Sequence, residues 1–159
     1  MSNTIDNVEV RRVELSSPDA SALIGRLNAE LSAMYPEEGS TFFDLSEDDV
    51  AQGNGTFVIA WLGERAVGCG ALRRLDDDRA EVKRMFTDPE VRGRRVAERV
   101  LDALEAEAVR LGVRTMVLET GTRQLAAQSL YSRKGFEICP CWGKYADAPL
   151  SICMRKQLH

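Results

Sequence analysis

Histidine is nearly absent from this chain: its 159 residues include one, His159, at the last position. A Ser–His or Cys–His nucleophile pair needs an imidazole that is held firmly in a site, and chain ends usually fray. The sequence therefore gives no support to a hydrolase-type triad or a His-ligated metal, and we expect no metal. None of the four cysteines forms a Cys-x-x-Cys pair of the kind that binds zinc.

The chain also lacks a long apolar run and an excess of basic charge. No stretch is long enough to cross a bilayer, and residues 1–10 lack the basic-then-apolar layout of a signal peptide. We therefore expect a cytoplasmic protein with no membrane partner, whose four cysteines are free thiols. The net charge of −4 provides no global basic field, so we expect no nucleic-acid partner. Any site for an anion must therefore come from a local group of positive charges or hydrogen-bond donors.

Length and composition fit one globular domain over residues 1–159, since 44% of the residues are hydrophobic. Hydrophobic periodicity predicts strands at residues 8–15, 56–61, 66–72, 80–87, 115–119, 136–139 and 150–155. It predicts helices from Ser17-Pro18 to about residue 35, near 46–50, over 94–111 and over 124–133. The three strands between residues 56 and 87 form an antiparallel meander. The long helix connects two strands that we expect to be parallel.

The segment with the most specific chemistry is residues 81–97, where a strand leads into a turn that opens the long helix. The first amides of a helix lack internal partners, and with the helix dipole they form a seat for an anion. Gly93 allows a close approach to phosphate, and Arg92, Arg94 and Arg95 supply suitable donors. We therefore predict a diphosphate site here. A solvated basic helix start is the alternative that the loop alone leaves open.

This loop resembles the pyrophosphate loop of the GNAT superfamily of N-acetyltransferases, Arg/Gln-x-x-Gly-x-Gly/Ala after a strand and Pro-x-x. Arg92 takes the first position and Ala97 the last, whereas Arg95 stands where glycine is usual. The Arg95 side chain could crowd the phosphates or contact them. A second family pattern, Asn-x-x-Ala-x-x-Leu-Tyr-x-x-x-Gly-Phe, is matched over residues 124–136 with Gln124 in place of asparagine. The resemblance extends towards the C-terminus through Gly-x-Tyr-x-x-x-Pro-Leu-Ser at residues 143–151.

The resemblance implies an α+β (α/β) fold with a mixed, mostly antiparallel sheet of about six or seven strands and helices on both faces. It implies an acyltransferase with acetyl-CoA as co-substrate. An acetyl group would move to a primary amine of a small molecule or amino acid by direct attack in a ternary complex. Two alternatives stay open: acetylation of a protein N-terminus or lysine, and a non-catalytic CoA-binding regulatory module, which Arg95 favours. A homodimer is also open.

The resemblance also assigns residues to the coenzyme and the leaving group. Amides at Met85 and Thr87 would hold the pantetheine arm, and an amide near Met85 would stabilise the oxyanion. Tyr131 matches the position whose phenol lies near the coenzyme sulfur, where it would protonate the leaving thiolate. The other residues of the expected coenzyme site are Phe86, Arg92, Gly93, Arg94, Arg95, Val96, Ala97 and Gln124.

The general base and the acceptor contacts are less defined by the sequence. Glu81 and Glu119 lie on strands next to the coenzyme site, and either could deprotonate an amine through water. Family members often use water chains with no single base. Acceptor contacts are expected from Tyr35, Phe42 and Tyr145. For each of these side chains, core packing or ion pairing is the alternative.

Overall fold

The structure is a computed structural model that describes residues 7–158, so His159 and the first six residues lie outside the described part. The strands are β1 (Val8–Arg12), β2 (Gly55–Leu62), β3 (Arg65–Arg74), β4 (Arg79–Thr87), β5 (Thr115–Gly121), β6 (Glu137–Cys139) and β7 (Ser151–Gln157). The α-helices are α1 (Pro18–Met34), α2 (Val96–Leu111) and α3 (Leu125–Arg133). No helix among these residues has the length and apolar character of a transmembrane segment.

The strands form one seven-stranded sheet in the order β1-β2-β3-β4-β5-β7-β6. Only the β4–β5 pair is parallel within the described residues, and α2 connects those two strands. The predicted fold class is therefore confirmed, together with the predicted meander and parallel pair. The predicted helix near residues 46–50 is a single 3-10 turn at Asp48–Val50.

Alternating strand residues point to opposite faces of the sheet, and helices cover both faces. On one face, Phe57 and Ile59 of β2 pack in a buried cluster with Leu23 and Leu27 of α1. On the other face, Val58 belongs to a larger cluster that includes the inner sides of α2 and α3. The apolar stripe predicted for α2 is buried, and its residues are Val96, Val100, Leu101, Leu104 and Ala108.

Local signals explain where the helices begin and end. Ser17 caps α1, because its Oγ accepts a hydrogen bond from the amide of Ala20 at 3.2 Å, and Pro18 is the first helical residue. Gly112 ends α2 with a φ of 77°, the left-handed conformation that glycine adopts without strain. Strand β5 therefore starts close to the end of α2 and returns beside β4.

Strand β4 is irregular at Arg84 and Met85. Cys69 of β3 is paired with Phe86, but Ala71 is paired with Lys83, so β4 contains a bulge between these pairs. Arg84 has a φ of 57°, which is uncommon for a residue other than glycine. On the opposite edge, β4 pairs with β5 only from Arg79 to Val82. Beyond Val82 the two strands separate, and the gap between them opens the sheet.

The prediction that all four cysteines are free is wrong, because Cys141 and Cys153 form a disulfide. Strand β7 places Cys153 opposite Cys139 of β6, and the chain after β6 turns back so that the Cys141 and Cys153 Cα atoms lie 5.1 Å apart. Cys139 itself is a free thiol. Cys69 is the small core residue that the sequence predicted, and its burial raises the pKa of its thiol to about 12.

Candidate active site

A groove with a volume of about 620 Å³ lies where β4 and β5 separate. One wall is the end of β4, from Met85 to Thr87, and the opposite wall is α3, from Ala126 to Arg133. The turn from Arg92 to Ala97 lines the end of the groove next to the start of α2. The residues that the sequence predicted for the coenzyme are thus brought together around one groove, except that Arg94 does not line it.

Several backbone amides at this turn have no acceptor among residues 7–158. The amides of Arg92 and Arg94 bond to carbonyls of Pro89 and Val91, and the amide of Arg99 bonds to Arg95. The amides that remain without a partner belong to Gly93, Arg95, Val96, Ala97 and Glu98. Successive free amides at a helix N-terminus form an anion-binding concavity, so this turn fits a diphosphate.

The arginines of the turn do not fill it. Arg92, Arg94 and Arg95 are exposed, and Arg92 forms a 3.4 Å ion pair with Glu30 of α1. Arg95 has φ 63° and ψ 21°, the left-handed conformation. This conformation explains why glycine is usual at this position, since a Cβ is unfavourable there. The arginine side chains therefore border the turn and leave its free amides accessible to a ligand.

The end of β4 also presents free backbone groups to the groove. The amide of Asp88 donates to the carbonyl of Val67 in β3 at 2.8 Å. Successive amides of a strand point to opposite edges, so those of Thr87 and Met85 face away from β3. Because β5 pairs with β4 no further than Val82, these two amides are available to a ligand in the groove.

A second, smaller cavity with a volume of about 80 Å³ lies on the other side of the same gap. It is lined by β4 from Glu81 to Met85, by β5 from Glu119 to Gly121, and by the segment Ser40–Phe42. The two cavities meet, because Met85, Gln124 and Tyr131 line both. A group held at this junction would be in contact with both cavities.

Tyr131 is placed at the junction by α3 and is only 6% exposed. Its ring packs edge-on against Phe136 with 5.8 Å between the ring centroids. Its hydroxyl makes no hydrogen bond within residues 7–158. Burial raises the pKa of Tyr131 above its usual value, and the charge of Glu119 adds to this shift. The phenol is therefore protonated at neutral pH.

The two carboxylates proposed as bases have different surroundings. Glu81 is 1% exposed, and both of its oxygens are occupied: Arg73 bonds to Oε1 at 3.0 Å and the Tyr145 hydroxyl donates to Oε2 at 2.6 Å. Glu119 is half-buried and accepts one side-chain hydrogen bond, from Ser151 Oγ at 2.7 Å. Burial raises the pKa of Glu119, although the bond from Ser151 opposes this shift.

The three predicted acceptor contacts all line the smaller cavity. Tyr35 is buried, and its hydroxyl accepts a 2.9 Å hydrogen bond from the amide of Arg123. Phe42 packs edge-on against Tyr145 at 4.9 Å between ring centroids. Burial, and then the charge of Glu81, raises the pKa of Tyr145.

Comparison with known proteins gives the family. The model of the acetyltransferase (GNAT) family matches residues 24–136. The chain belongs to this family. It is 34% identical over 153 residues to an IAA acetyltransferase of Azospirillum brasilense, which covers 96% of this chain and 99% of that protein. GNAT acetyltransferases use acetyl-CoA, and this chain is an N-acetyltransferase of that family.

Solved structures show the same GNAT fold. A Klebsiella pneumoniae protein assigned as an acyl-CoA N-acyltransferase has a TM-score of 0.82 at 29% identity, with 99% of this chain and 100% of that chain covered. A GNAT acetyltransferase from Elizabethkingia anophelis, solved with acetyl-CoA bound, has a TM-score of 0.68 at 17% identity and covers 96% of this chain and 99% of that chain. At 17% identity, the Elizabethkingia anophelis structure shows only that the two proteins share a fold.

Sequence reasoning about this GNAT chain missed two buried cations of the smaller cavity, Lys83 and Arg84. Lys83 Nζ lies 3.1 Å from Asp44 Oδ1, and Arg84 stacks over Phe43 at 4.8 Å. A signal was present, because two consecutive cations in a strand that is otherwise buried are unusual. The bulge that turns both side chains towards the segment 42–44 left no such signal.

Proposed function

We propose that the chain transfers the acetyl group of acetyl-CoA to a primary amine of a small molecule or amino acid, by direct attack in a ternary complex. The observation that supports this best is the junction at Tyr131, where a groove suited to the coenzyme meets a separate cavity suited to an acceptor. With two cavities, both substrates can be bound at once, so an acyl-enzyme intermediate is not needed.

The groove fits acetyl-CoA, which supplies the acetyl thioester. The free amides from Gly93 to Glu98 would bind the diphosphate, and the exposed arginines beside them would add charge. The amides of Met85 and Thr87 would bind the pantetheine arm. An amide near Met85, at the junction, would also stabilise the oxygen on which negative charge develops.

Tyr131 would act as the general acid for the leaving thiolate. Its hydroxyl makes no hydrogen bond among the described residues, and the Tyr131 side chain lines both cavities. The raised pKa keeps the proton on the phenol until the thiolate forms. Packing against Phe136 holds the ring in position.

Glu119 is our candidate for the general base, directly or through water. It lines the acceptor cavity, and one of its oxygens is free within residues 7–158. A raised pKa brings a carboxylate closer to the operating pH, where a base is most effective. Glu81 would instead position Tyr145, since its oxygens are committed to Arg73 and Tyr145.

The size of the acceptor cavity favours a small molecule over a protein. Its volume of about 80 Å³ is well below that of a typical ligand pocket, and the segment Ser40–Phe42 covers it. The related Azospirillum brasilense protein is named for a small molecule, IAA. A protein N-terminus or lysine remains the alternative acceptor, and a non-catalytic CoA-binding module is the alternative to an enzyme.

The test combines coenzyme binding with turnover. We expect acetyl-CoA to raise the Tm, and a panel of amines, amino acids and peptides to include an acceptor that causes thiol release. Tyr131→Phe should lower kcat by about 10²-fold or more while acetyl-CoA still raises the Tm. Ser132→Ala, which removes an exposed hydroxyl from the next residue, is the matched control and should keep full activity.

Stabilisation by acetyl-CoA without thiol release on any acceptor would favour the non-catalytic module. Release with peptides alone would favour a protein acceptor. Full activity of Tyr131→Phe would reject the acid role and leave the rest of the proposal intact.

A further inference from the structure

Four charged side chains line the acceptor cavity, and two of them have no partner of opposite charge. Glu81 is paired with Arg73, and Lys83 is paired with Asp44. Arg84 and Glu119 form no ion pair within residues 7–158. The cavity therefore presents one uncompensated positive charge and one uncompensated negative charge, both on strands that border the gap between β4 and β5.

Arg84 is an unusual residue to find without a counter-ion. It is 7% exposed, and its guanidinium makes one hydrogen bond within the described residues, from Nη2 to the side-chain oxygen of Asn28. Its Nε is buried with no acceptor, and Phe43 lies against one face of the guanidinium. A buried, unpaired guanidinium costs stability, and burial lowers the pKa of Arg84 accordingly.

The backbone at Arg84 is also held in an unfavourable conformation. Its φ of 57° lies in the left-handed region, and Arg84 and Met85 together form the bulge of β4. Two unfavourable features at one cavity-lining residue suggest a function, since such strain is typical of ligand sites. The function must use the charge, because the packing alone would be served by an apolar side chain.

We propose that Arg84 binds the carboxylate of the acceptor, so that the substrate class is amino acids and not simple amines. This inference rests on the proposed function, and it names the acceptor of that same site. A carboxylate offers two coplanar oxygens to the fork of donors on a guanidinium. Nε of Arg84 lacks an acceptor, and Nη2 makes the one hydrogen bond of this guanidinium within the described residues. The acceptor supplies the missing negative charge.

The second uncompensated charge completes the match with a zwitterion. Glu119 has an oxygen with no partner and lies on the opposite strand, where it binds the ammonium group and then takes its proton. Met85 follows Arg84 directly and lines the junction with the coenzyme groove. A carboxylate at Arg84 thus places the amine of a small amino acid close to the acetyl group.

The test compares amino acids with acceptors that lack the carboxylate charge. Each of the protein amino acids is paired with its carboxamide, and kcat/KM for thiol release is measured with saturating acetyl-CoA. We expect the best amino acids to exceed their carboxamides by about 10- to 100-fold, the usual effect of losing a hydrogen-bonded charge. Arg84→Met should lose most of this preference. The ratio of amino-acid to carboxamide activity is compared within each variant, so a loss that affects both acceptors equally does not change the result.

Further measurements separate a loss of carboxylate binding in Arg84→Met from a loss of folding. Arg84→Met should have an equal or higher Tm, because replacing a buried unpaired charge with an apolar side chain is often neutral or stabilising. Arg79→Met, which removes a half-exposed arginine at the start of β4, is the matched control and should keep the preference for amino acids. Calorimetric binding of the same pairs to the CoA complex repeats the comparison without turnover.

Equal activity on amino acids and carboxamides would overturn the proposal, and so would a preference that survives in Arg84→Met. If no amine releases thiol, the proposed function fails, but the calorimetric comparison still decides whether Arg84 binds a carboxylate. If Arg84→Met does not fold, the wild-type comparison decides alone: no discrimination between acid and amide rejects the inference.

Discussion

Replacing Arg95 with glycine should stabilise the free protein. Arg95 immediately precedes α2 with φ 63° and ψ 21°, and its side chain is exposed. The left-handed conformation costs a residue with a Cβ about 1–2 kcal/mol. Glycine removes this cost, but it also loses about 0.4–1 kcal/mol more backbone entropy on folding. The free energy of unfolding should therefore rise by about 0.5–1 kcal/mol.

This magnitude is large enough to measure by thermal unfolding. An unfolding entropy of about 2.1 cal/mol/K per residue corresponds to about 330 cal/mol/K for 159 residues. The Tm of Arg95→Gly should then rise by about 1.5–3 °C. Arg94→Gly is the matched control, because Arg94 is exposed but has no positive φ, and this change should give no stabilisation. A lower Tm for Arg95→Gly, or equal shifts for the two variants, would refute the reasoning.

Arg95→Ala separates the side chain from the backbone. It keeps the Cβ and its cost, but it removes the guanidinium from the rim of the groove. In the wild type, the Arg95 side chain is exposed and does not fill the turn. We therefore expect it to contact the diphosphate of the coenzyme. Coenzyme Kd should rise about 2- to 5-fold at low salt, with a smaller effect at high salt. Tighter binding by Arg95→Ala would show that the arginine obstructs the site.

Two other changes test the acceptor side. Glu119→Gln should lower kcat/KM by about 10²-fold or more. In the wild type, kcat/KM should rise with pH as the buried carboxylate of Glu119 ionises, at a pH above the usual range of a glutamate. This rise should be absent from the pH profile of Glu119→Gln. An unchanged pH profile would exclude Glu119 as the base. Cys141→Ser should lower the free energy of unfolding by about 2–3 kcal/mol, because it removes the disulfide. It should also raise the KM for the acceptor more than the KM for the coenzyme, since the disulfide closes the segment that carries Tyr145, a residue of the acceptor cavity. Cys139→Ser is the control, and an equal loss of stability there would contradict this role.

The elements of the fold were predictable because local signals specify them. The cap at Ser17, the apolar stripe of α2 and the alternation of β2 depend on neighbours a few residues away. The parallel β4–β5 pair followed from the handedness of a strand–helix–strand connection. The free amides of the turn before α2 were predictable for the same reason, since a helix start leaves its amides free wherever it occurs.

The acceptor cavity was less predictable because its contacts are distant in sequence. Glu81 meets Tyr145 across 64 residues, and Lys83 meets Asp44 across 39. Whether Glu81 is a free base or a paired carboxylate depends on those contacts, which no spacing rule contains. The disulfide of Cys141 depends in the same way on the pairing of β6 with β7.

The bulge in β4 carries Met85, which lines both cavities, and Gly70 leaves room for the Met85 side chain. Gly70 of β3 lies between the residues paired with Lys83 and Phe86, opposite Arg84 and Met85. A Cβ at Gly70 would lie 2.7 Å from the sulfur of Met85 and 2.7 Å from a methyl group of Val100, so only glycine allows Met85 to pack there. A regular β4 would place Lys83 and Arg84 on opposite faces. If the proposed sites are right, one irregularity therefore both frees the strand edge for the coenzyme and brings an unpaired cation to the acceptor, and changing the bulge should alter acceptor choice and acetyl transfer together.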